Sequence, residues 1–416
     1  MKDVLKDMSQ PRILAIADWY LPGYRGGGVV SALSNLIELV GDEFDFCVFT
    51  RDRDSTDKRP YTKVPMDRWV MAGKARIFYT SDLSMKNLLR RIREIGPDII
   101  YLNSFFSRLT IKTLLLRKMG LLPEAAVVMA PRGEFSRGAL GLKHSRKFFY
   151  SKAALAAGLC RDILWQASSV REEEQIRAMT FGSGSGNNGT IQLAPDVPNP
   201  SLFSAPPPAA RPAKVPGAVR FIFLSRVSRM KNLQFALELL SSVHGEIQFD
   251  VYGPIDDAGY WEVCQAQIRR LPSSLRVSYK GPVAQEQVLD VFAKYHFQLL
   301  PTLGENFGYV IIEGLAAGCP ILTSDQTPWR ELSKKRAGWD LPLADRGQWR
   351  QAIQRCVEMD QNTYAPLSQG ARSYFEEWMS SSAYRQGSVE LFRKALEASA
   401  SPRVPPALEK SARAGD

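Results

Sequence analysis

Glu305 and Glu313 stand eight residues apart in the stretch Pro301 to Pro320, PTLGENFGYVIIEGLAAGCP. The local pattern predicts a strand over Phe297 to Pro301, then a tight loop, Glu305-Asn306-Phe307-Gly308. A helix follows from about Tyr309 to Ala317, with a glycine stop at Gly318 and a strand over Ile321 to Ser324. A loop that leaves a buried strand and opens a helix is where an α/β protein receives an anionic ligand, because free backbone N–H groups and the positive helix end meet there. Glu305 falls on that loop and Glu313 just over one turn into the helix. Two carboxylates beside a cationic helix start suit a ligand with both hydroxyls and phosphate, such as a sugar nucleotide. Carboxylates near a helix start are also favourable without a ligand, so the spacing alone is a weak signal.

A second constellation strengthens it. In FIFLSRVSRMKNLQFALELL a buried strand ends at Ser225, a short loop carries Arg226, Arg229 and Lys231, and a helix follows. The helix dipole makes that position poor for cations, so their presence favours an anionic ligand over an idle surface pair. Arg226 can grip two phosphate oxygens in a fork and Lys231 acts as a point charge. In the first half, a strand over Ile13 to Asp18 runs into WYLPGYRGGGVVSALSNLIEL, where Gly26-Gly27-Gly28 precedes a helix. Such a loop permits close backbone approach to a ligand. It is neither GxGxxG nor GxxxxGK[ST], so neither a dinucleotide site nor a P-loop is supported.

The elements that position these residues alternate along the chain. Apolar strands are predicted at Arg12 to Asp18, Phe44 to Thr50, Ala75 to Tyr79, Asp98 to Leu102, Ala125 to Met129, Ile163 to Ala167 and Ile191 to Leu193. A second set runs over Arg220 to Leu224, Gln248 to Tyr252, Arg276 to Tyr279, Phe297 to Leu300 and Pro320 to Ser324, with helical segments between. Near-continuous apolar strands alternating with helices indicate parallel sheets covered on both faces. Between the sets, Pro195 to Pro216 is proline-rich and includes Pro206-Pro207-Pro208, the composition of a linker. It is preceded by a Gly/Ser/Asn loop over 182–189. The expected organisation is a first Rossmann-like domain over 1–205 and a second over 206–375. A helix over Ala371 to Leu396 follows, its 376–400 part returning to the first domain, and 401–416 form a disordered tail. Two such domains leave a cleft between them, a common ligand site.

Length and composition agree. The 416 residues exceed one typical domain, and 45% apolar with 23% charged residues is ordinary for a soluble globular chain. Five scattered cysteines without a CxxC or Cys/His cluster argue against a disulfide framework and a zinc site and fit a reducing cytoplasm. The N-terminal MKDVLKDMSQPR lacks an apolar signal core, and no run reaches membrane-spanning length. The net charge of +11 is uneven: Tyr101 to Arg161 holds 11 Lys or Arg against Glu124 and Glu134, a local excess of +9. Lys143, Arg146 and Lys147 share one face of a predicted helix beside Phe148, Phe149 and Tyr150. That segment is either a solvated basic face or a surface for an anionic membrane or acceptor. The basic balance would also suit nucleic acid, but no recognition motif for one occurs.

Arg226…Lys231-Asn232-Leu233, Glu305-Asn306-Phe307-Gly308…Glu313 and the Gly26-Gly27-Gly28 loop together resemble the family 4 retaining glycosyltransferases of the GT-B fold. So do Ala130-Pro131-Arg132-Gly133-Glu134, Tyr252-Gly253-Pro254 and Ser324-Asp325-Gln326-Thr327-Pro328-Trp329, in the branch that assembles bacterial polysaccharide and lipopolysaccharide. The resemblance spans about residues 11–395, and its C-terminal block is the more specific. It implies an α/β chain of GT-B architecture, two Rossmann-like domains with parallel sheets facing a central cleft. It implies that Arg226 and Lys231 neutralise a donor diphosphate, that Glu305 contacts the donor sugar and that Glu313 holds the ribose hydroxyls. Asn306, Phe307 and Gly308 would hold sugar and phosphate by their backbone, and Gly281-Pro282-Val283 would line the base. Gly27 and Gly28 would approach the diphosphate from the other domain. Asn103, Arg132 and Glu134 match the acceptor side. No cofactor and no metal are implied, because protein cations and helix ends carry the leaving-group charge. The chain departs from many relatives at Tyr309, where they have histidine, and no acceptor-side histidine is evident. The implied reaction moves a sugar from a UDP- or GDP-linked donor to a lipid-linked or glycan acceptor, in a cytoplasmic protein at or near the inner membrane face. Two readings compete: a different two-domain enzyme such as an epimerase or phosphorylase, whose motifs are missing, and an inactive scaffold that binds a nucleotide sugar.

Overall fold

The computed structural model describes residues 10–23, 25–55, 57–136, 144–180, 190–203 and 211–400. The glycine/serine loop at 182–189, the 205 boundary and the 401–416 tail lie outside the described residues. Two sheets organise the rest. The first contains β1 (Arg12–Ile16), β2 (Asp45–Arg51), β3 (Trp69–Ala72), β4 (Ala75–Thr80), β5 (Ile99–Asn103), β6 (Ala126–Ala130), β7 (Leu164–Ala167) and β8 (Thr190–Leu193), in the order β3-β4-β2-β1-β5-β6-β7-β8. The second contains β9 (Ala218–Leu224), β10 (Glu246–Tyr252), β11 (Leu275–Gly281), β12 (Phe297–Leu300), β13 (Ile321–Ser324) and β14 (Gly338–Leu341), in the order β11-β10-β9-β12-β13-β14. Every pairing is parallel except β3 with β4.

The strands are apolar throughout because each has two buried faces. Ile13 and Ala15 of β1 join one core cluster, while Leu14 and Ile16 join the cluster on the opposite face. Phe221 and Phe223 of β9 and their neighbour Ile222 divide in the same way. Side chains alternate across a strand, so a parallel sheet with helices on both sides needs apolar residues at every position. The edge strands β3 and β14 are not among the strands expected from the sequence. Each has only four residues, and β3 is half exposed, so neither carries the long apolar run that marks its neighbours.

The C-terminal segment also departs from expectation. One helix was expected over Ala371 to Leu396; two are present, Gln361–Ser380 and Ala383–Ala400. The break follows the serine run Ser380-Ser381-Ser382, and Ser381 is extended, at φ −68° and ψ 126°. Serine competes for its own backbone hydrogen bonds and favours helix ends. The first helix stays with the second domain, where Arg372 Nη1 donates to the Ala316 carbonyl at 2.7 Å. The second packs on the first sheet: the Phe392 ring lies 5.3 Å from Phe44, 5.8 Å from Phe46 and 5.4 Å from Tyr101.

Strand order decides where ligand-facing loops fall. In both sheets the chain leaves the central strand first to one side and then to the other. The switch lies between β1 and β5 in the first sheet and between β9 and β12 in the second. Loops leaving adjacent strands at such a switch diverge and open a crevice at the carboxyl end. The crevice of the second sheet is therefore bounded by the loops after β9 and β12, which carry Arg226, Lys231 and Glu305.

Candidate active site

The loop after β9 is held by the loop after β10. Ser225 N–H donates to the Tyr252 carbonyl, Val227 N–H to that of Pro254, and Asp256 N–H to that of Val227. Gly253 makes this approach possible. Its φ is +127°, and a Cβ there would lie 2.0 Å from the Ser225 carbonyl oxygen. The same loop supplies two acids: Asp256 accepts from Arg226 at 3.1 Å and Asp257 from Arg229 at 3.2 Å. Arg229 also lies over the Tyr260 ring, 5.4 Å from its centre, and is not part of the cleft lining.

The loop after β12 is fixed to the same scaffold. Leu303 N–H donates to the Met230 carbonyl at 2.8 Å, and the Thr302 hydroxyl donates there at 3.1 Å. Glu305 N–H donates to the Gln326 carbonyl, and Trp329 Nε1–H to that of Phe307 at 2.5 Å. The segment after β13 thus braces the Glu305-Asn306-Phe307-Gly308 loop from behind. Lys231 Nζ then meets Glu305 Oε1 at 2.5 Å, with side chains only 12% and 10% exposed.

A cleft of about 400 Å³ separates these loops from the first domain. It brings together Gly27, Gly28, Arg132, Arg226, Lys231, Glu305, Asn306, Phe307, Gly308, Tyr309 and Glu313. Gly27, at φ +63°, faces Arg226 so closely that a Cβ would lie 3.4 Å from the guanidinium Nε. A Cβ on Gly28 would lie 3.9 Å from the Tyr309 ring. The glycine loop is therefore one wall and the β9 and β12 loops the other.

Glu313 is 7% exposed and accepts a hydrogen bond from Gln285 Nε2 at 2.7 Å. Burial pushes its carboxyl up to about 7, while the Gln285 amide pulls the other way. Tyr309 packs on Phe307 with ring centres 4.9 Å apart. Its hydroxyl is buried without a partner among the described residues, and burial pushes the phenol well up.

Five residues expected at the site, Asn103, Glu134, Gly281, Pro282 and Val283, are not in the cleft lining. Asn103 is fully buried, and its side-chain oxygen accepts from Arg132 at 3.2 and 2.9 Å. Glu134 accepts from the Ser104 hydroxyl at 2.5 Å and from Phe106 N–H at 3.1 Å, so it ties two loops together behind the cleft. Val283 packs against the cluster of Ile222 and Phe292, and neither it nor Pro282 reaches the cavity. Gln285, two residues on, does.

The first domain contributes residues that the sequence did not single out. Asp196 pairs with Arg132, both about 5% exposed or less, and accepts from Asn306 Nδ2 of the second domain at 3.2 Å. Glu172 accepts from Gly133 N–H at 2.6 Å and from Ser168 N–H and hydroxyl at 2.8 and 2.7 Å. Burial pushes both carboxyls up; Arg132 opposes this for Asp196, and the Ser168 and Gly133 amides for Glu172. Arg171 Nη1 donates to the Asp325 carbonyl at 3.1 Å and Nη2 to Gln326 Oε1 at 2.5 Å, a second joint across the domains. Arg171 opens a helix after β7, the signal that marked Arg226, and could have been read by the same rule, whereas Glu172, an acid at a helix start, gives no such signal. Asp196 sat in the proline-rich stretch taken as linker.

Of the basic segment, Lys143 and the Arg146 side chain lie outside the described residues. Helix His144–Ala156 presents Phe148 and Phe149 outward, whereas Tyr150 turns into the core, 5.4 Å from Phe105. No helix among the described residues is long and apolar enough to cross a membrane.

Comparison with known proteins follows the same division. Residues 218–359 match the family model of the glycosyl transferases group 1. No curated protein matches the chain in sequence. Among solved structures, a sucrose-phosphate synthase from Thermosynechococcus elongatus is similar over 94% of this chain and 100% of its own, with TM-score 0.67 and 16% identity. Anabaena HepE in complex with UDP-glucose is similar over 93% and 98%, with TM-score 0.64 and 16% identity. WaaG, a glycosyltransferase involved in lipopolysaccharide biosynthesis, is similar over 91% and 99%, with TM-score 0.63 and 12% identity. The chain has the GT-B fold of these proteins, and the match to the glycosyl transferases group 1 model falls within its second domain.

Proposed function

We propose that this protein transfers a sugar from a UDP- or GDP-linked donor to a lipid-linked or glycan acceptor, with retention at the anomeric carbon. The observation that carries this reading is the convergence in one cleft of Arg226, the Lys231–Glu305 pair and Glu313, from the two chain segments that follow β9 and β12. HepE, similar in fold, is seen with UDP-glucose, which supports a nucleotide-sugar donor for this cleft as well.

The residues divide the work by chemistry. Arg226 and Lys231 offset the charge that develops on the departing diphosphate, held from the other side by the Gly27 and Gly28 backbone. Glu305, oriented by Lys231, accepts hydrogen bonds from donor-sugar hydroxyls. Asn306, Phe307 and Gly308 fix the sugar and phosphate by backbone contacts, and Glu313 accepts the ribose hydroxyls. The acceptor hydroxyl attacks on the face from which the diphosphate leaves and gives its proton to a leaving phosphate oxygen. Positioning and charge stabilisation then supply most of the rate. On this reading the leaving-group charge is carried by protein cations, without a metal. Phe148 and Phe149, with Lys152 beside them, would set the acceptor side against an anionic membrane surface.

The test is release of UDP or GDP from a panel of sugar nucleotides, with and without lipid-linked acceptor. Acceptor-dependent release that disappears in Lys231→Ala and Glu305→Ala supports the site. Release that is unchanged in both variants overturns it, and binding without any release would favour the inactive-scaffold reading.

A further inference from the structure

Glu313 is a carboxylate without a cation. It forms no ion pair among the described residues, although Arg226 lies across the same cleft. Arg372, on the helix packed against its own, donates to the Ala316 carbonyl instead. Tyr309, one turn earlier, and Glu286 and Asp290, on the segment that follows β11, offer it no positive charge. Among the described residues its one polar side-chain partner is the Gln285 amide, at 2.7 Å from Oε1. Gln285 belongs to a short 3-10 turn and is itself exposed, so the fold does not need it as a core residue.

That arrangement has a chemical consequence. A carboxylate offers about four lone-pair sites. Gln285 occupies one on Oε1, and the remaining sites belong to a side chain that lines the cleft. Two adjacent hydroxyls, as on a ribose, match two such acceptors. A protonated carboxyl could not accept them as well, and burial makes protonation easy near neutrality.

We infer that Gln285 is a positioning residue for the nucleotide ribose: its amide keeps Glu313 ionised and oriented, so that donor binding is linked to the proton on Glu313. This rests on the nucleotide-sugar reading above. The sign follows from linkage. Glu313 binds its proton with a midpoint of about 7 in the free protein. Below that midpoint, affinity for a ligand that needs the carboxylate falls by about tenfold per pH unit. Without the Gln285 amide the carboxylate loses its one hydrogen bond, and the fall begins at higher pH, by on the order of one unit.

The experiment is calorimetric titration of the full chain with UDP, GDP and their 2′,3′-dideoxy forms, from about pH 5.5 to about 8.5. Wild type, Gln285→Leu and Glu313→Gln are compared. The expected result is that UDP or GDP binding weakens on acidification with a midpoint near neutrality, while the dideoxy form binds weakly and without that dependence. Gln285→Leu should move the midpoint upward and leave dideoxy binding unchanged. A midpoint identical in wild type and Gln285→Leu overturns the inference. So does an equal loss for normal and dideoxy nucleotides, which would mark Gln285 as merely structural. A different outcome strikes the underlying reading: no binding of any nucleotide by wild type, or equal binding of normal and dideoxy forms that Glu313→Gln does not change.

Discussion

Lys231 and Glu305, 74 positions apart in sequence, meet at 2.5 Å with almost no solvent between them and the loops that carry them. The pair is contributed by the two strands, β9 and β12, that flank the switch in the second sheet. Each charge is the other's main compensation. A ligand with a diphosphate and hydroxyls lets them divide, the ammonium toward phosphate and the carboxylate toward the sugar.

The two should therefore be coupled in stability and inseparable in function. Removing one partner of a buried pair leaves an uncompensated charge, which costs up to about 3–5 kcal/mol, whereas replacing both can be nearly neutral. Lys231→Met and Glu305→Gln are each expected to lower urea stability, and the double variant to recover most of the loss. All three should lose turnover by about 100-fold or more, as when a preorganised charge is removed from a developing anion. Additive stability losses in the double variant would show that the pair is not coupled.

Glu313 should be a residue whose function costs stability. Its carboxyl titrates at about 7 rather than at the ordinary 4.5. The folded state thus holds this proton more tightly than the unfolded chain. The penalty is absent below pH 4.5, grows as pH rises between the two values, and is complete above about 7. The difference corresponds to about 3 kcal/mol at most. Glu313→Gln is expected to raise the melting temperature at pH 8 and to change it little at pH 5, while weakening nucleotide binding. Equal effects at both pH values would argue that burial does not perturb this carboxyl.

How much of this was legible in the sequence follows the physics of each signal. The central strands could be read because both faces are buried, which forces apolar runs such as Ile13 to Ile16 and Phe221 to Leu224. Arg226 and Lys231 could be read because cations at a strand end before a helix are locally out of place, and Glu305 because it shares a helix mouth with a second carboxylate, Glu313. Strand β3 could not, since a four-residue antiparallel edge leaves one side to solvent and carries no such run. Asn103 and Glu134 sat beside the right strands, but sequence gives no side-chain direction at a loop, and both turned inward to neighbouring backbone and to Arg132. Asp196 was hidden for the opposite reason: a proline-rich composition says that backbone is irregular, not that one acid in it bridges two domains.

That bridge makes a third prediction. Asp196 joins Arg132 of the first domain to Asn306 on the second domain's cleft loop. Asp196→Ala leaves Arg132 buried against the neutral Asn103 and Tyr101 and frees the Asn306 amide. The expected loss is about 3–5 kcal/mol in urea unfolding, the cost of an unpaired buried charge. Asn306→Ala keeps the Arg132–Asp196 pair and should cost about 1 kcal/mol, with a larger effect on turnover than on stability. Similar stability losses in both variants would mean that the joint, not the buried charge, dominates.

Gly253 tests whether the β9 loop is positioned by its neighbour or by its own sequence. A Cβ at that position would overlap the Ser225 carbonyl, and φ of +127° is poor for any side chain. Gly253→Ala must push the two loops apart and carry Arg226 away from Gly27. The variant is expected to lose nucleotide binding while keeping most of its helical circular dichroism, because the strands below remain packed. Intact binding would show that Arg226 reaches its ligand without this contact.

The outward aromatics give the last prediction. Phe149 is 70% exposed and Phe148 42%, adjacent on one helix and 6.2 Å apart at their ring centres, with the Lys152 ammonium 5.7 Å from the Phe148 ring centre, whereas Lys147 turns to the Phe106 ring. Exposed rings beside basic side chains match the headgroup layer of an anionic bilayer, where each Lys or Arg near the surface contributes about 1 kcal/mol. Tyr150 cannot contribute, since its ring is packed on Phe105 and Phe106. Vesicles rich in anionic lipid should carry the wild-type chain upward in a flotation gradient, and neutral vesicles should not. Changing Phe149 to Asp together with Lys152 to Glu should abolish flotation without altering nucleotide binding, because neither residue lines the cleft. If the double variant floats like wild type, this helix is an ordinary solvated surface and the acceptor must be reached without it.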